Sequence, residues 1–179
     1  GVSPRHPTKF LVTTLEELIR AFPNNYINVE IKQSGEVGLR ALAETILLLD
    51  QLDEEFQTYE RIILASFHHS IYQELQKLRD TTHPQLMFSP EARSVTRFFL
   101  LFLLGLDTFY NDEIAVFQLP MRQAGFNLAT KRLVRIAHRH NIAVNYWTIN
   151  DPDDMRTLIR IGADGIMTDR PNLLKSILD

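Results

Sequence analysis

Apolar positions change period repeatedly along this chain. In Tyr26–Gln33 they fall on every second residue, so Ile27, Val29 and Ile31 share one face of a strand and Asn28, Glu30 and Lys32 the other. Just before it, Leu15, Leu18 and Ile19 recur at helical spacing behind Thr13 or Thr14 as N-cap, with Glu16 and Glu17 in the first turn. Pro23-Asn-Asn25 separates the two. The same exchange continues downstream. Helical stretches are predicted at 36–52, 71–78, 91–106 and 127–139, the last stopped by Asn141. Strands are predicted at Arg61–Phe67, Gln85–Ser89, Glu113–Phe117 and Ile142–Ile149. A further helix has Asp151 as cap, Pro152 at its first position and Gly162 as terminator. "ADGIMTD" is a last short strand, and Pro171 opens a closing helix.

Strand and helix thus alternate about six times, the pattern of a parallel sheet covered by helices. An open doubly wound sheet and part of an eight-stranded barrel both satisfy it. Polar residues cluster toward strand ends: Glu30 and Lys32, Ser66 and His68, Asn145 and Trp147. Barrel sites are built from such positions, which favours an α/β fold of the TIM (β/α)8 type. Six units fall two short of closure, so a single partial barrel domain over 1–179 is expected.

Composition narrows the function classes. At 179 residues, 45% hydrophobic and 23% charged, the chain suits one domain with a substantial core. A net charge of −3 gives no nucleic-acid footprint. The lack of cysteine excludes disulfides and thiolate metal sites without fixing the compartment. The chain starts Gly-Val-Ser-Pro, which reads as a processed or truncated beginning. The apolar run Phe98–Leu106 is shorter than the about 20 residues a membrane-spanning helix needs.

Three segments resemble the glycerophosphodiester phosphodiesterase family: Thr14–Gln33, Ile63–His69 and Ile142–Leu174. The third is the most specific, joining W-T-I-N, an N-capped helix and T-D-R-P. The resemblance implies a (β/α)8 barrel and a metal-dependent hydrolase. Its substrates would be glycerophosphodiesters or lysophospholipids, cut to glycerol phosphate or lysophosphatidic acid and an alcohol. It assigns Glu30 as ligand of a divalent cation, Mg²⁺ or Ca²⁺, and Lys32 as phosphate contact. A hard cation prefers carboxylate oxygen, and an ammonium complements a diester anion. On spacing alone, a Glu–Lys pair that neutralises itself inside a barrel is the better reading; the flanking match tips the balance. Trp147 becomes a wall of the pocket, and Ser66 or His68 line it unless His68 and His69 are simply an exposed loop pair. Asp164 and Asp169 serve turn geometry.

The family's His-Arg-Gly, Glu-x-Asp and His-Asp motifs do not occur. His6, in "PRHPT", reads as connector. No catalytic residue is therefore assigned to this chain, and it is expected to be inactive alone. The run 98–106 is apolar all round, as a helix buried on every side would be. On a barrel's outer layer that suggests a lipid contact through Phe98, Phe99 and Phe102, and with it a peripheral membrane association. Open barrel edges invite self-association. The compartment expected is cytoplasm or a membrane surface. Two rivals remain: a non-catalytic barrel remnant that binds lipid or serves as scaffold, and a different barrel enzyme using Glu30 as base and Lys32 as Schiff-base amine.

Overall fold

The computed structural model describes residues 12–179; His6 lies outside them. Helix α1 (Leu15–Ala21) starts from a capping box in which Thr14 and Glu17 satisfy each other's backbone N–H groups. Strand β1 (Ile27–Glu30) follows, then the long α2 (Gly35–Phe56) and the single turn α3 (Thr58–Arg61). Next come β2 (Ile62–Ala65), α4 (His69–Thr81), β3 (Met87–Phe88) and α5 (Ala92–Leu104). A 3-10 turn, Asp107–Phe109, leads into β4 (Val116–Leu119).

The second half holds the hairpin β5 (Arg122–Gln123) and β6 (Phe126–Asn127), α6 (Lys131–Arg139), β7 (Ala143–Tyr146), α7 (Pro152–Ile161), β8 (Gly165–Ile166) and α8 (Pro171–Leu178). Asp151 caps α7, Pro152 opens it and Gly162 ends it in the left-handed region, as the sequence predicts. Asn141 stops α6 in the same conformation. That helix begins at Lys131 rather than 127, because 126–130 is taken by the hairpin and by Thr130, whose hydroxyl caps it. The strand expected at Glu113–Phe117 sits later, at Val116–Leu119.

Six strands form two parallel sheets, ordered β1-β2-β3 and β4-β7-β8. The bond from the Ala115 N–H to the Phe88 carbonyl, 3.4 Å, joins them. The combined sheet curls, since Gln118 on β4 donates to Asn28 on β1 at 2.6 Å across the interior. The barrel does not close: among the described residues β1 pairs only with β2, and β8 only with β7. Two cores lie between strands and helices, one around Leu49, Leu64 and Ile71, the other around Phe98, Phe117 and Tyr146.

Helix α5 departs from expectation. Phe98 and Phe102, one turn apart, turn inward and are only 2% and 7% exposed, with Phe98 against Phe117 at 4.6 Å between ring centroids. Neither ring is available to a lipid at the surface, and Phe99 is half-buried. The outward apolar residues are instead Leu100, Leu103 and Leu104. A helix apolar on all sides leaves its inward face to be chosen by the partner, here the Phe117 layer.

Candidate functional site

Strand β1 delivers Glu30 to its C-terminal end, opposite Ala65 of β2. There Glu30 lines a cavity of about 280 Å³ with Ser66, Phe67, Ser89, Gln118 and Trp147. These residues lie at or near the C-terminal ends of five strands, β1, β2, β3, β4 and β7, where barrel chemistry is placed. Lys32 is not among the lining residues; its Nζ lies 3.7 Å from Glu30 Oε2 and its side chain is largely exposed. So open an ion pair contributes at most about 1 kcal/mol. Stability does not account for a carboxylate in this position.

The loop carrying Lys32 is held from below. The Ile31 N–H donates to the Ala65 carbonyl at 2.8 Å, and the buried Ser66 hydroxyl donates to the Ile31 carbonyl at 2.8 Å. The Ser66 oxygen also accepts from the His68 N–H at 3.2 Å. His68 Nε2 meets the Lys32 carbonyl at 3.0 Å. Ser66 lines the cavity but spends its proton on the backbone, and His68 braces the loop rather than facing the cavity. His69 is turned to Glu91, Nδ1 to Oε2 2.7 Å, away from the lining.

Trp147 forms part of the far wall. Its ring is half-buried and lies edge-on to Phe67, centroids 6.2 Å apart, and its buried indole N–H has no partner among the described residues. Phe67, an exposed ring, is a wall residue that strand periodicity does not reveal. Below Trp147, Tyr146 donates its phenol to the Leu128 carbonyl at 2.8 Å, and burial raises that phenol's pKa above its usual value. The W-T-I-N and T-D-R-P motifs lock together. Asn150 Oδ1 accepts from the Asp169 N–H and from the Thr168 hydroxyl, both at 3.0 Å, while Asn150 Nδ2 donates to Asp169 at 2.9 Å. Asp164 accepts from the Val144 N–H at 2.7 Å. Both aspartates are structural, as expected.

The metal assignment meets a limit. A hard divalent cation takes about six or more oxygens. Among the described residues no group of three or more His, Cys, Asp or Glu could hold one. Glu30 stands as a single carboxylate, and these residues by themselves do not fit a metal.

A second cavity, about 210 Å³, adjoins the first under α5. The two share Val95, Thr96, Leu119, Gln123 and Leu128. Its outer wall is the β5–β6 hairpin, whose turn residues Ala124 and Gly125 both have positive φ. That hairpin carries Phe126 edge-on to Phe99, centroids 5.3 Å apart. The sequence offered little signal for it, since Ala-Gly is not one of the Asn-Gly or Asp-Gly pairs that mark such turns.

A probable glycerophosphodiester phosphodiesterase 2 of Mycobacterium tuberculosis is 28% identical over 170 residues, 93% of this chain and 60% of that protein. A human lysophospholipase D is 23% identical over 189 residues, covering 93% of this chain and 56% of its own. This chain therefore spans little more than half of either relative. A putative glycerophosphoryl diester phosphodiesterase from Silicibacter pomeroyi superimposes with a TM-score of 0.60 at 22% identity, over 92% of this chain and 55% of that one. The likeness shows the fold, a TIM-barrel-like α/β arrangement. Residues 2–173 match the Glycerophosphoryl diester phosphodiesterase family, and the chain belongs to that family.

Proposed function

We propose that this chain forms the phosphate-binding side of a metal-dependent phosphoric diester hydrolase. The enzyme cleaves glycerophosphodiesters or lysophospholipids to glycerol phosphate or lysophosphatidic acid and an alcohol. One observation carries the reading: in a chain of this family, Glu30 lines a cavity at the strand ends with Lys32 beside it. The diester anion lies against the Lys32 ammonium, a compact point charge on a flexible stem. Trp147 and Phe67 flank the alcohol or glycerol half. Ser66 and His68 position the Lys32 loop.

In this proposal the six parallel strands are six of eight, and two further βα units complete the barrel. Those units bring the histidines for acid–base catalysis and the remaining ligands of the cation, to which Glu30 adds one carboxylate. The outward edge of α5, Leu100 and Leu104, faces lipid where the substrate comes from a membrane.

The test is hydrolysis of glycerophosphocholine by this chain alone and by the chain fused behind the first two βα units of the mycobacterial relative. Background turnover is expected from the first and metal-dependent turnover from the second. Lys32→Met in the fusion should lower kcat/KM by about 10-fold, the scale for losing one hydrogen bond to a charged group. A fusion that folds and stays inactive would instead favour a non-catalytic remnant.

A further inference from the structure

We infer that the cavity beneath α5 takes the single hydrocarbon chain of a monoacyl phosphodiester whose phosphate sits at Glu30 and Lys32, an inference that rests on the function proposed above. The two cavities adjoin, with Val95, Thr96, Leu119, Gln123 and Leu128 lining both, and the inference places one molecule across them. The polar end holds the Glu30 carboxylate, with the Lys32 ammonium 3.7 Å from it. The other end is walled by Phe98, Phe99, Leu103, Phe126 and Leu133, with hydrocarbon on nearly every side. Such a path matches an amphiphile with an anionic head and an apolar tail.

The size selects the number of tails. A hydrocarbon-lined cavity of about 150 Å³ stays dry and admits a molecule such as benzene. At about 210 Å³ the space under α5 suits part of one alkyl chain and has no room for two. Leu103 and Phe126, 46% and 48% exposed, border it from the solvent side, where a chain threading the cavity would cover them. The hairpin is the movable wall, because it touches α5 through Phe126 on Phe99 rather than through a sheet.

The experiment is a calorimetric titration of the chain with n-alkyl phosphocholines, ethyl to decyl, below their micelle concentrations, and in parallel with the n-alkanols. Affinity should rise about fourfold with each buried methylene and then level off once the cavity is full. Leu103→Trp, which fills the cavity from α5, should abolish the rise while the ethyl phosphocholine binds as before. Leu103→Ala should move the plateau to longer chains, which keeps the test informative if the tryptophan variant fails to fold. A flat series in both sets, with ethyl phosphocholine still bound, overturns this inference and leaves the proposed function standing. A rise without plateau, untouched by either substitution, is partitioning onto a surface and also overturns it. Alkanols that rise and level off while no phosphocholine binds overturn the diester reading, and this inference with it.

Discussion

Replacing Arg61 with alanine is expected to destabilise the chain by about 3 kcal/mol. Arg61 closes the turn α3 and is 7% exposed. Its guanidinium donates to four carbonyls: Phe56 at 2.7 Å, Asn25 at 3.0 Å, Phe22 at 3.1 Å and Ile19 at 3.4 Å. Three of these lie at the C-terminal ends of α1 and α2, where the helix dipole is negative and carbonyls lack intrahelical donors. One cation thus ties two helices to the start of β2. Alanine would leave buried acceptors unsatisfied and open a cavity. At roughly 3 °C per kcal/mol for a chain this size, the melting temperature should fall by about 10 °C. Arg61→Lys should fall between, since an ammonium keeps the charge but not the planar fork. A melting temperature unchanged in the alanine variant would show that these bonds contribute nothing net.

Gly38→Ala is expected to destabilise by about 2 kcal/mol, against the helix-propensity rule. Within α2, alanine in place of glycine would ordinarily gain up to about 1 kcal/mol. Here a Cβ would lie 2.1 Å from the Gln33 carbonyl oxygen and 2.7 Å from its carbon, with Ile71 Cδ1 at 3.0 Å. The obstruction is backbone, so either α2 or the loop after β1 must move, and overpacking of this kind costs about 1–3 kcal/mol. That loop holds Lys32, so the effect should reach the site: the affinity for glycerophosphocholine should drop along with the melting temperature. A more stable variant with unaltered affinity would mean that α2 yields without disturbing the loop.

The two residues show where sequence reading succeeds and where it stops. Thr14, Asp151, Pro152 and Gly162 announce helix ends because capping is local chemistry, fixed within a few residues. Glu30 was legible because strand alternation put a carboxylate on the face opposite Ile27, Val29 and Ile31. Arg61 was not, because a charge near a strand start reads as surface until α1 and α2 are brought to it. Strands β5 and β6 have two residues each, too few to display a period. Phe98 and Phe102 could not be told from Leu100 and Leu104, as a continuous apolar run carries no phase. The cavity under α5 depends on the hairpin 122–127, whose place against Phe99 comes from a contact between residues 27 apart in sequence.

The pair at positions 30 and 32 is the centre of the account, and a titration tests it most directly. Adding glycerophosphocholine to the labelled chain should move the resonances of the Lys32 amide and the Trp147 indole N–H saturably. Lys32→Met should abolish that movement, while Lys175→Met, on the distant helix α8, should leave it intact. Saturable movement that survives Lys32→Met, or that avoids Trp147 and the cavity around Glu30, would contradict the account.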